Sequence, residues 1–127
     1  MKRLFLNNEI VKVVNDQHGI PTTTQFLVKI TEKLINLKNE GKELPKILHA
    51  CPSDNTSWYD FALSIHKCMN EDEKLKCKQI IGVNSKQYPQ LATRPSYSVL
   101  SNKALANLFD FKLNTWLQYH KKLYKAV

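Results

Sequence analysis

Ile10-Val11-Lys12-Val13-Val14-Asn15-Asp16-Gln17-His18-Gly19-Ile20-Pro21-Thr22 runs from a β-branched stretch into a loop marked by glycine and proline. Its first five residues are mostly β-branched, which suits a pleated surface, and they predict a short strand, Ile10 to Val14. Gly19 and Pro21 then punctuate a loop. The threonines Thr22 to Thr24 offer a hydroxyl to cap a helix. From Gln25 to Lys38 the apolar residues Phe26, Leu27, Ile30, Leu34, Ile35 and Leu37 fall near helical spacing. Gly41 is placed to stop that helix, and Pro45 prevents its continuation.

Working outward, Lys46-Ile47-Leu48-His49-Ala50 reads as a second strand and Gln79-Ile80-Ile81-Gly82-Val83 as a third. Between them, Ser57 with Asp60 three residues on is a capping pattern. Trp58, Phe61, Ala62, Ile65 and Met69 follow as an apolar helical stripe. Gly82 inside a strand suggests a bulge or a close backbone approach. Asn84 to Tyr97 is a long irregular segment containing Pro89 and Pro95, and loops of that length are often functional. Short helices are expected around Asn102 to Phe109 and from Thr115 to Lys125, the last capped by Asn114. The pattern is mixed α/β (α+β), with three short strands and four helices in one domain, 1–127.

Composition narrows the function classes. The chain of 127 residues is 43% hydrophobic, ordinary for a soluble globular protein and too apolar for disorder. No apolar run has the length of a membrane span. The Met1 to Asn8 segment turns polar too soon for a secretion signal, so a cytoplasmic location is expected. Cys51, Cys68 and Cys77 are odd in number and lack a C-x-x-C pair, which reads as free thiols in a reducing compartment. His18, His49, His66 and His120 are scattered, and no metal site is suggested by their spacing. The net charge is +8, almost all of it lysine, with only Arg3 and Arg94 as arginines. Duplex recognition leans on arginine forks, so solvated lysine faces with some attraction for a nucleotide diphosphate are preferred over nucleic-acid binding.

Arg94 stands out on chemistry alone. It precedes Pro95 in the long loop, where the proline biases it toward extended geometry. A guanidinium held that way can grip a phosphate in a fork, although pairing with a carboxylate or capping carbonyls is the commoner use of such a residue. Gln17 and Gly19 lie in a loop at a strand end, where polar side chains and backbone N–H groups commonly meet ligands. Thr22 serves as a helix cap or a ligand contact, with the cap preferred; Asp16 is read as a turn residue rather than a base. Trp58 is expected in the core, Tyr59 in the core or at a ligand, and Tyr97 extends a ligand wall or covers the core. No catalytic residue is assigned: there is no nucleophile triad and no P-loop, and 3 glycines cannot make a glycine-rich dinucleotide loop. A tyrosine followed four residues later by lysine is also missing; the residue four after Tyr119 is Leu123.

Three ordered blocks carry a family likeness: Asp16 to Thr22, Ser57-Trp58-Tyr59-Asp60-Phe61-Ala62, and Arg94-Pro95-Ser96-Tyr97-Ser98-Val99-Leu100. With the Tyr88-Pro89 pair, Phe109 and Trp116 in the same order, the chain resembles the carboxy-terminal substrate domain of dTDP-4-dehydrorhamnose reductase, an extended short-chain dehydrogenase/reductase. Met1 to Leu4 looks like the end of the helix that precedes the first strand. His18 and Ile20 depart from the family's usual loop. The resemblance implies that Arg94 helps bind the diphosphate or nucleotide of a dTDP-sugar, and that Gln17, Gly19 and Thr22 line the same cleft. It also implies an amino-terminal NAD(P)-binding Rossmann domain, with the catalytic tyrosine and lysine, that this chain lacks. On that footing the chain binds no cofactor by itself, and NAD(P)H belongs to the complete enzyme. The strand at Ile47 to His49 would then expose an unpaired edge, implying a homodimer, aggregation or a separate amino-terminal chain. The alternatives are a non-catalytic binding or regulatory module and a decayed gene product of the same family.

Overall fold

The computed structural model describes residues 1–70, 74–88, 92–109 and 113–125. Its elements are, in chain order, helix α1 (Lys2–Asn7), strand β1 (Ile10–Val14), strand β2 (His18–Gly19), helix α2 (Thr24–Asn39), strand β3 (Thr56–Ser57), helix α3 (Trp58–Asn70), strand β4 (Gln79–Val83), a 3-10 turn (Ser85–Gln87), helix α4 (Lys103–Phe109) and helix α5 (Trp116–Lys125). The mixed α/β class expected from the sequence is the one found.

β1 and β4 lie parallel, with Ile10 opposite Gln79 and Val14 opposite Val83. Alternation along β1 buries Val11 and Val13 and leaves Ile10 and Lys12 exposed. The buried pair meets Ala62, Ile65 and Met69 of α3 and Phe5 of α1, closing the first core. The register is fixed by backbone bonds from the N–H groups of Lys78 and Gln79 to the Glu9 carbonyl (2.8 and 3.2 Å). The Lys78–Glu9 ion pair beside them, at 3.1 Å, has side chains 76% and 57% exposed and adds little. At Gly82 a Cβ would come within 3.1 Å of Asn15 Nδ2 and 3.4 Å of Tyr59, so the glycine marks a close approach and not a bulge.

A second core gathers Phe26 and Ile30 of α2, Leu105 of α4 and Leu113, with Leu48, Ala50 and Tyr119 packed against them. Fully buried side chains such as Phe26 and Leu105 each contribute roughly 1.5–3 kcal/mol. α2 ends in a Schellman motif. The N–H of Gly41, at φ 77°, donates to Lys38 O and that of Lys42 to Leu37 O, both at 3.0 Å. Ser57 caps α3, its Oγ accepting from Asp60 N (3.0 Å) and donating to Asp60 Oδ2 (2.6 Å). Cys51 and Cys77 are buried free thiols, and Cys68 is half-buried. Burial pushes the Cys51 thiol up, which makes it a poor nucleophile.

Four expectations are corrected. Lys46 to Ala50 is not a strand. Leu48 and Ala50 turn onto the second core while Ile47 is 78% exposed, so the alternation of a half-buried strand is present, but the segment has no ladder partner among the described residues. Thr23, not Thr22, caps α2, accepting from Phe26 N at 3.2 Å. Thr115, not Asn114, caps α5: its hydroxyl accepts from Gln118 N (3.3 Å) and its own N–H donates to Gln118 Oε1 (2.8 Å), a reciprocal capping box. Trp58 is 46% exposed, because α3 begins one turn ahead of the stripe that faces the strands; the buried tryptophan is Trp116. Pro89 lies outside the described residues.

His120 is buried against Phe61 and Trp116 and shares a hydrogen bond with Ser64 Oγ at 2.9 Å. Burial holds its imidazole below the ordinary value of 6.5. Below that value the unfolded chain takes up a proton more readily than the folded one. Stability tied to neutral His120 is therefore complete above 6.5 and is lost as pH falls from there toward the lower folded value. The urea midpoint should drop between about pH 7.5 and about pH 5.5, and His120→Gln should shrink that drop; an undiminished drop in the variant contradicts the assignment.

Candidate functional site

The loop leaving β1 is pinned on both sides. β2 pairs antiparallel with β3, His18 opposite Ser57 and Gly19 opposite Thr56. On its other edge, His18 N–H donates to Ser96 O (2.8 Å), and His18 O accepts from Ser98 N (3.0 Å) and Ser98 Oγ (3.1 Å). His18 thus bridges the start of α3 and the Arg94–Leu100 segment, which run far apart in sequence. Trp58 N–H donates to Gln17 O at 3.2 Å and seats the indole beside the same loop.

One further clamp sets the far wall. The Asp16 carboxylate accepts from Ser85 N (3.0 and 3.1 Å to its two oxygens) and from Ser85 Oγ (2.8 Å). The Ser85 hydroxyl first, opposed by burial and aided by the Ser85 N–H, holds that carboxyl below its ordinary 3.8. Asp16 is therefore more than a local turn residue: it ties the end of β1 to the 3-10 turn after β4. Nothing in the loop composition signals this long-range bond, although Asn84 before Ser85 does signal the turn itself, its side chain accepting from Lys86 N at 2.9 Å.

These bonds enclose a cleft of about 550 Å³ lined by Val13 and Val14 of β1, Gln17, Trp58, Tyr88 and Arg94. Lys12 also reaches it, and no Asp or Glu is among the described residues of its lining. Gln17 is 5% exposed and Arg94 is exposed. Among the described residues Arg94 has no carboxylate partner, which leaves its fork open to an anion. An aromatic wall beside a free guanidinium suits a ligand with a flat ring and an anionic tail.

Of the residues singled out from sequence, Arg94 and Gln17 share this cleft. Gly19 lines a smaller cavity of about 230 Å³ on the other side of Trp58, where Ser98 Oγ lies 3.4 Å from the position of a Cβ on Gly19. Thr22 borders neither space; its hydroxyl donates to Ile20 O at 3.2 Å. Tyr97 is 63% exposed and bridges to His18 through its backbone rather than walling the cleft. Trp58 and Tyr88 as cleft walls were not assigned from sequence; the aromatic-rich helix start at Trp58 was the available signal. Among the described residues no three His, Cys, Asp or Glu side chains come together as a metal would require. No helix among them is long and apolar enough to cross a membrane.

The family described as the RmlD substrate binding domain matches residues 1–127. The dTDP-4-dehydrorhamnose reductase of Salmonella typhimurium is 28% identical over 117 residues, which are 91% of this chain and 39% of that protein. The spore coat polysaccharide biosynthesis protein SpsK of Bacillus subtilis is 34% identical over 105 residues, 83% of this chain and 33% of that one. The crystal structure of dTDP-4-dehydrorhamnose reductase from Bacillus anthracis in complex with NADP superposes with a TM-score of 0.81 at 25% identity, covering 99% of this chain and 41% of that one. The Clostridium acetobutylicum structure of a dTDP-4-dehydrorhamnose reductase gives 0.72 at 32% identity, covering 91% of this chain and 38% of its own. The chain spans about two fifths of the length of the reductases it matches. It belongs to the RmlD substrate-binding-domain family.

Proposed function

We propose that residues 1–127 are the nucleotide-sugar-binding part of an NAD(P)H-dependent dTDP-4-dehydrorhamnose reductase, acting in dTDP-rhamnose biosynthesis. The observation that carries the proposal is the cleft in which an unpaired Arg94 and the buried Gln17 face an aromatic wall of Trp58 and Tyr88. Arg94 binds the diphosphate of a dTDP-4-keto-6-deoxy sugar through its planar fork. Gln17, itself buried, gives a directional amide at the edge of the cleft, and Trp58 and Tyr88 offer faces for the thymine ring. Gly19 and Thr22 lie on the loop that continues from Gln17, and Tyr97 on the segment that continues from Arg94, where they support the cleft's frame rather than line it.

The chain takes part in binding, not in hydride transfer. Its residues do not fit a nicotinamide dinucleotide: Gly19, Gly41 and Gly82 stand far apart, and no glycine-rich turn opens a helix. NAD(P)H and the catalytic tyrosine and lysine fall to a Rossmann domain outside residues 1–127. The segment Lys46 to Ala50, with Ile47 projecting into solvent and no ladder partner among the described residues, has the alternation for pairing with that domain. A homodimer through the same segment is the competing assembly.

Calorimetric titration of the purified chain with dTDP should give saturable binding that Arg94→Ala weakens by about tenfold to a hundredfold. A folded chain that binds no dTDP yet pairs tightly with another protein would favour the non-catalytic module instead.

A further inference from the structure

A second, polar compartment of about 410 Å³ adjoins the main cleft, and Gln17, Tyr88, Ala92 and Arg94 border both. Ser85, Lys86 and Thr93 complete the polar one, again with no Asp or Glu among its described lining residues. Lys86 is held from two sides. Its N–H donates to Asn84 Oδ1 at 2.9 Å, and the preceding residue, Ser85, is fixed to Asp16 by its N–H and by its hydroxyl at 2.8 Å. The Asp16 carboxylate, the nearest negative charge in this network, is already engaged by Ser85. Lys86 itself is exposed and has no carboxylate partner among the described residues. Two unpaired cations, carried on segments before and after Tyr88, therefore border one polar space beside an aromatic wall.

We infer that Lys86 is a second cation for the ligand's diphosphate, so that the polar compartment selects two phosphates over one. Arg94 engages one phosphate through its planar fork, and Lys86 meets the other as a compact point charge on a fixed 3-10 turn. A monophosphate satisfies Arg94 and leaves Lys86 in water. A diphosphate satisfies both. The inference rests on the nucleotide-sugar reading of the cleft but assigns a residue and a selectivity that the family likeness does not supply.

The test compares dTDP, dTMP and inorganic pyrophosphate by calorimetry on the full chain and on two variants, Lys86→Gln and the charge-matched control Lys42→Gln. Lys42 is an exposed lysine just past α2, outside both compartments. Lys86→Gln should weaken dTDP and pyrophosphate about tenfold and leave dTMP nearly unchanged, while Lys42→Gln changes nothing. Equal effects of the two variants, or equal losses for dTDP and dTMP in Lys86→Gln, overturn the inference. Pyrophosphate binding that depends on Lys86 with no gain from the thymidine moiety upholds the two-cation seat and removes the nucleotide-sugar reading. No binding of any of the three by the unmodified chain removes both.

Discussion

The Gln17–Gly19 segment is paired along both edges, with Thr56 to Trp58 on one side and, through the His18 N–H and carbonyl, with Ser96 and Ser98 on the other, and the meeting of Gln17, Trp58 and Arg94 in one cleft depends on that arrangement. Two residues of strand, His18 and Gly19, would be negligible as a sheet by themselves. Here they join the loop after β1, the start of α3 and the segment carrying Arg94. Without these bonds Gln17, Trp58 and Arg94 would sit on three independent loops. The parallel β1–β4 pair supplies the rigid base, and the Asp16–Ser85 clamp fixes the opposite rim.

How much of this was legible in the sequence follows from the range of each interaction. β1 and β4 were bounded correctly, because alternating or β-branched runs report a local burial pattern. The Gly41 stop and the Ser57–Asp60 cap were also readable, since both bonds close within a few residues. Shifts of one residue in the other caps, Thr23 for Thr22 and Thr115 for Asn114, came from runs in which adjacent residues offer equivalent oxygen acceptors. Lys46 to Ala50 misled because alternation reports burial and says nothing about a ladder partner.

At the site, single residue types were legible and their meeting was not. Arg94 was conspicuous as one of two arginines, and the Gln17 loop was recognisable by its position after a strand. That the two share one cleft requires the His18 bridge, which links residues far apart in the chain. Trp58 looked like a core residue because it continues the stripe of Ala62, Ile65 and Met69, yet it overhangs the strands and forms a wall instead. The charge of +8 was read as solvated lysine faces with some attraction for a nucleotide diphosphate. Lys12, Lys86 and Arg94 stand around a lining that has no carboxylate among the described residues, a favourable setting for an anion.

The most direct test of the account is an amide and side-chain N–H spectrum of the isotopically labelled chain during addition of dTDP. The largest changes should fall on the Trp58 indole N–H, the Gln17 side-chain amide and the Arg94 backbone, with α5 unmoved. A folded spectrum that does not change, or changes confined to the lysines of α5 such as Lys121 and Lys122, would contradict it.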